Sequence, residues 1–264
     1  MTKDFRFGAG LLPKNSRSAW QDAARRVEGL GFDILHVPDH LGAPAPFPSL
    51  VAAAEVTTIR LGTFVLNAGF YKPALLARDV EALDMLSEGR FELGLGTGYV
   101  REEFEAAELP FESAGRRVDH LEHMTSYMQS HVSRVPLLIA GSGDRVLTLA
   151  AQRANIIGIA GGHIDARVEL VRRAAGDRFD DLELNLGIIG VPRDGTGVPN
   201  LSLARRYSAG LPDDELLKHP GVLAGTPRDI ADTLRSHRET YGLTYFTVQE
   251  HHAESFAKVI AELR

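Results

Sequence analysis

Several short apolar runs in this chain end in residues that could do chemistry. The run Asp33–Val37 leads into Pro38-Asp39-His40. A histidine placed there can donate a hydrogen bond or move a proton near neutral pH. His36, inside the run, reads instead as a packed or outward-facing residue. The run Phe91–Leu95 ends in Gly94-Leu95-Gly96-Thr97-Gly98-Tyr99, where missing Cβ atoms would let a flat ligand lie against backbone. Thr97 adds a hydroxyl for a ring edge or a phosphate. Pro136–Ala140 is followed by Gly141-Ser142-Gly143-Asp144-Arg145 and a helical pattern. Backbone N–H groups and the helix dipole at such a start favour an anion, with Gly141 and Gly143 permitting close approach and Ser142 adding a hydroxyl. Arg145 could assist. A further run, Ile59–Leu66, passes into Asn67-Ala68-Gly69, which could form a simple turn or line a ligand.

Other polar clusters read more plainly. Glu102 and Glu103 read as a solvated helix start in preference to catalytic carboxylates. Glu250-His251-His252 invites a metal reading, yet adjacent positions point different ways and no third ligand is evident, so a rim or substrate contact is expected and no metal. Thr226-Pro227 followed by Asp229 is a helix start, with Thr226 as N-cap and Pro227 at the first position.

The elements that must position these residues alternate. Strand-like runs at Phe5–Ala9, Asp33–Val37, Ile59–Leu66, Phe91–Leu95, Pro136–Ala140, Asn155–Ala160, Leu182–Ile189 and Tyr245–Gln249 are separated by segments of helical spacing. Those segments are Ser18–Leu30, Ser49–Glu55, Ala74–Leu86, Val118–His131, Asp144–Arg153, His163–Ala175, Asp229–Tyr241 and Glu254–Leu263. Eight βα units predict an α/β fold, a (β/α)8 TIM barrel spanning 1–264 as one domain, with chemistry at the strand C-termini. The irregular stretch Val191–Leu223, with a short helix expected at Pro212–Lys218, is long enough to be functional.

Composition narrows the class. A net charge of −6, with Lys and Arg scattered, gives no footing for nucleic acid. The absence of cysteine excludes disulfides, thiolate metal sites and a cysteine nucleophile. The opening residues lack a signal-peptide apolar stretch and no segment reaches membrane-spanning length, so a cytoplasmic protein is expected. Frequent Ala, Arg and Gly point to a GC-rich bacterial genome.

The stretch Glu88-Gly89-Arg90 followed by Phe-Glu-Leu-Gly-Leu-Gly resembles the luciferase-like flavin and deazaflavin oxidoreductases. Gly115–Glu122, Pro136–Ala154 and Val222–Ala231 extend the likeness along nearly the whole chain. The resemblance implies coenzyme F420 as cofactor, with FMN as the alternative, and a small-molecule substrate. The two activities it implies are F420-dependent hydride transfer and FMN-dependent monooxygenation. It implies that His40 is catalytic and that Asp39, Asn67, Ala68, Thr97, Gly98 and Tyr99 border the ring. Gly141, Ser142 and Gly143 would hold the cofactor phosphate. It also implies a non-proline cis peptide in the third strand, expected at Leu66–Asn67 or Asn67–Ala68. Relatives pair through helices beside the early strands, so a homodimer or a heterodimer with a related subunit is expected.

Two departures from the family pattern matter. The sugar-phosphate dehydrogenases of the family carry Glu where this chain has Tyr99, and Trp where it has Pro44. Both argue against sugar-phosphate oxidation. Between His131 and Pro136 the chain also lacks about two dozen residues that relatives insert there. The family contains a shortened, non-luminescent flavoprotein without known turnover, so a non-catalytic flavin-binding protein is a third reading.

Overall fold

A computed structural model describes residues 3–13, 16–193, 195–208 and 210–264. The chain order is β1 (Arg6–Gly10), α1 (Arg17–Gly29), β2 (Ile34–Val37), α2 (Pro46–Ala54), β3 (Arg60–Thr63), β4 (Leu66–Asn67), α3 (Pro73–Leu86) and β5 (Phe91–Gly96). It continues with α4 (Arg101–Ala106), α5 (Ala114–His131), β6 (Leu137–Gly141), α6 (Asp144–Arg153), β7 (Ile156–Ile159), α7 (Ile164–Ala175) and β8 (Glu183–Ile188). The last elements are α8 (Ser202–Tyr207), α9 (Asp213–Leu216), α10 (Pro227–Tyr241), β9 (Leu243–Gln249) and α11 (Ala253–Leu263).

All strand pairs are parallel, in the order β3-β2-β1-β9-β8-β7-β6-β5-β4, and β3 also pairs with β5, which closes the ring. β3 and β4 are two halves of one stave, so the molecule is the eight-staved (β/α)8 barrel that the alternation predicts. Between them lies a cis peptide at Phe64–Val65. This corrects the expected position, two or three bonds further along. Gly94 and Gly96 of β5 accommodate that bend. A Cβ on Gly94 would sit 2.0 Å from the Thr63 carbonyl oxygen, and one on Gly96 2.8 Å from Val65 Cγ2. These glycines therefore receive the chain's own Thr63 carbonyl and Val65 side chain, not a ligand as the sequence reading has it.

The long helices lay apolar stripes on the barrel; α1 buries Trp20, Ala24 and Val27, and α11 buries Phe256, Val259 and Ile260. The Glu88-Gly89-Arg90 turn has a mechanical role. Glu88 and Gly89 take positive φ. Arg90 then donates to the carbonyls of Ala54, Thr57, Ile59 and Ser87, tying the end of α2 and the start of β3 to this turn.

Inside the barrel the strand N-termini hold a charged plug. Arg6 pairs with Glu92 and Glu183, and Arg60 donates to the same Glu92 at 2.5 Å. Burial disfavours the Arg6 charge, but the two carboxylates outweigh it and raise its pKa. Above the plug, Arg6 lies 4.6 Å from the Tyr245 ring centre, and the Tyr245 hydroxyl is hydrogen-bonded to His36 Nε2 at 2.8 Å. His36 is packed, one of the two placements expected: its ring fills the space left by Gly8 and Gly62 on the flanking strands and stacks 5.0 Å from Phe64. Burial, reinforced by Arg6, lowers its pKa to about 3, so it is a neutral core residue at ordinary pH. No helix among the described residues is long and apolar enough to cross a membrane.

Candidate active site at the strand C-termini

At the opposite end, the strand tips gather the candidate residues, and the local sequence explains each placement. Asp39 and His40 follow β2 directly. The Asp39 carboxylate accepts from the Asn67 backbone N–H at 3.1 Å and from the Tyr71 hydroxyl. Burial raises the Asp39 pKa despite these donors, and burial together with Asp39 raises that of the Tyr71 phenol. Asp39 is thus an internal strut between β2 and β4, placed one residue before the exposed imidazole of His40.

Asn67 closes β4. Its side-chain oxygen accepts from Gly69 N–H at 3.0 Å and lies against Gly98, whose φ is +69°. A Cβ on Gly98 would meet that oxygen at 2.2 Å. Asn67 is buried, and so is Ala68, whose carbonyl accepts from His120 Nε2 of α5 at 3.0 Å. Gly98 is held in the same way, its carbonyl accepting from Arg117 Nε at 3.1 Å. The α5 motif Gly115–Glu122 therefore clasps two strand tips at once. Thr97 is half-buried, and Tyr99 is exposed, 6.4 Å from the His40 ring in an edge-on arrangement.

The third group lies across the mouth. β6 ends at Gly141, and Gly143 is the N-cap of α6 with no side chain satisfying the first-turn N–H groups. A Cβ on Gly143 would meet nothing within 4 Å, whereas one on Gly141 would meet Val146 at 2.7 Å. Arg145 turns away, donating to the Asp119 carboxylate at 2.8 Å and to the Gly115 carbonyl. The expected help from Arg145 is therefore corrected. The cation beside this turn is Arg167 of α7, which donates to the carbonyls of Ser142 and Gly162. Sequence reading missed it because twenty-odd residues and a whole strand separate it from the turn.

Two further corrections concern carboxylates and loops. Glu103 is not solvated: its side chain is 16% exposed and accepts from His40 Nδ1 at 2.8 Å. The Val191–Leu223 stretch contains α8 as well as the expected short helix, which appears as α9. His219 in it accepts from Gly221 N–H at 3.0 Å and bonds the Gly161 backbone, so the stretch is tied to the β7–α7 turn. At the β9 tip, His252 is fully buried with no partner on either ring nitrogen, and its ring lies 4.0 Å from that of His251. Among the described residues no group of three His, Cys, Asp or Glu side chains could hold a metal ion.

The mouth suits a flat cofactor with an anionic tail. Its floor offers the half-buried, apolar Phe64, Val65 and Ala140, its rim an exposed imidazole, and its far side an uncapped helix start. A Cβ at Gly187 of β8 would also meet open space. Fold and rim together define a (β/α)8 barrel with a candidate ligand site at its strand C-termini.

Comparison with known proteins agrees. Residues 4–126 match the family described as luciferase-like monooxygenase. An uncharacterized protein of Mycobacterium tuberculosis is 27% identical over 205 residues, covering 58% of this chain and 71% of that one. The F420-dependent glucose-6-phosphate dehydrogenase of Intrasporangium calvum is 40% identical over 87 residues, covering 29% of this chain and 26% of its own length. The structure of the F420-dependent tetrahydromethanopterin reductase of Methanopyrus kandleri superposes with a TM-score of 0.78 at 17% identity, covering 99% of this chain and all (100%) of that one. At that identity the likeness is one of fold.

Proposed function

We propose that the protein is an F420-dependent oxidoreductase that transfers a hydride between the deazaflavin and a small organic substrate. When bound, the deazaflavin would supply a two-electron hydride donor or acceptor. The chain's residues bind, orient and handle the proton. Phe64 and Val65 would lie beneath the ring, with Thr97, Gly98 and Tyr99 along one edge. Asp39, Asn67 and Ala68 hold that edge in place through their bonds to neighbouring tips. The N–H groups at Gly141–Gly143 would take the phosphate, with Arg167 as the nearby cation. His40 would give a proton to, or take one from, the substrate atom beside the carbon that exchanges hydride.

The observation that carries this reading is the exposed imidazole of His40 across the mouth from an uncapped helix start. The F420-dependent glucose-6-phosphate dehydrogenase among the relatives supports the choice of cofactor. The family's monooxygenases favour FMN as the second reading. The short connection 132–136 between α5 and β6 keeps a non-catalytic flavin carrier as a third. We extend the proposal to self-association through α3, which exposes Leu75, Met85 and Leu86.

The test is a pair of calorimetric titrations, with F420 and with FMN. Tight binding of F420 alone supports hydride transfer. Preference for FMN moves the reading to a monooxygenase or carrier, separated by oxygen consumption. Binding of neither overturns the cofactor assignment.

A further inference from the structure

We propose that Glu103 is the positioning residue of the site, fixing the tautomer and orientation of His40. The inference rests on the reading of His40 given above. A carboxylate only accepts, so the 2.8 Å contact requires a proton on His40 Nδ1. The neutral ring is then held with a bare Nε2, and among the described residues Nε2 has no hydrogen-bond partner within the chain. The histidine side chain is 43% exposed while Glu103 is 16% exposed, so the carboxylate anchors and the imidazole faces the mouth. A proton arriving at Nε2 makes an imidazolium already paired with a carboxylate that is largely removed from water.

The fold builds this contact on purpose-shaped ground. α4 is only six residues long and is held by its one buried side chain, Phe104. That ring packs against Gly69, 5.3 Å from Phe70 and 5.2 Å from Phe111. With Phe104 fixed, Glu102 points to solvent and Glu103 faces the end of β2. Asp39, though adjacent to His40, cannot take this role, because its carboxylate is engaged by Asn67 N–H and the Tyr71 hydroxyl.

The alternative is that Glu103 merely tethers α4. Nitrogen-15 NMR of the His40 ring in the cofactor-free protein separates the two, with Glu103→Gln and Glu103→Leu as variants. Wild type should show the Nδ1–H tautomer. Glu103→Gln should retain it, because the amide oxygen still accepts, and Glu103→Leu should give a mixture containing Nε2–H. An unchanged tautomer in Glu103→Leu overturns the proposal. With cofactor and a competent substrate, kcat of Glu103→Leu should fall about 10- to 100-fold toward the level of His40→Ala, cofactor affinity staying constant and Glu103→Gln falling less. Equal kcat in wild type and Glu103→Leu would also overturn it. If no substrate is turned over even by wild type, the functional reading fails, and the tautomer measurement alone decides the role of Glu103.

Discussion

At the scale of single residues, the anion-binding turn separates two glycines that look equivalent in sequence. Gly141 has Val146 against it, so any larger residue there strains the start of α6 as well as blocking a ligand. Gly143 has open space and a φ of −83° that any residue adopts. Gly143→Leu should therefore fold with a thermal midpoint close to wild type, while cofactor affinity drops at least about tenfold by occlusion of the N–H groups. Calorimetric titration beside a melting curve checks both halves; undiminished affinity would remove the phosphate from this turn. The same contrast shows what was legible. His40, Asp39 and the Gly141–Gly143 turn are readable because each follows an apolar run. Glu103, Arg167 and His219 are not, because their partners lie on other elements and only closure of the barrel brings them near.

Among the elements, alternation and helix spacing placed the eight staves to within a few residues. Periodicity could not see the break between β3 and β4, because Ile59–Leu66 is apolar on both sides of it. It also passed over α8, whose six residues make fewer than two helical turns. Glycine roles were the harder matter. Gly94 and Gly96 look like a ligand bed in sequence, yet they admit the bent β3–β4 stave. Gly98 combines both demands of a tight tip, a left-handed backbone and contact with Asn67. Gly98→Ala should destabilise the fold by about 1–3 kcal/mol, from strain at positive φ plus overlap with Asn67. Denaturant unfolding measures this. A loss under about 0.5 kcal/mol would mean that the β4–β5 clasp yields easily.

For the whole molecule, the two deeply buried histidines couple stability to pH. His36 is lowered to about 3 by burial and by Arg6, and His252 to about 3 by burial, then His251 and Arg193. Both are neutral in the folded protein, whereas an unfolded histidine titrates near about 6.5. Below that value the unfolded chain takes up protons that the folded chain refuses. Their contribution is therefore complete above about pH 6.5 and is lost as pH falls toward 3, at up to about 1.4 kcal/mol per pH unit for each. Asp39 and Glu183, raised chiefly by burial, act in the opposite sense at the acid end. Comparing denaturant midpoints at pH 7 and pH 5.5 therefore favours the histidine effect. His252 offers the cleaner dissection, since neither ring nitrogen has a partner to lose. His252→Leu should stay within about 1 kcal/mol of wild type at pH 7 and should flatten the loss between pH 7 and 5.5 by about half. An unaltered slope would show that His252 opens to water on acidification without unfolding the barrel, and would leave His36 as the sole core histidine linked to stability.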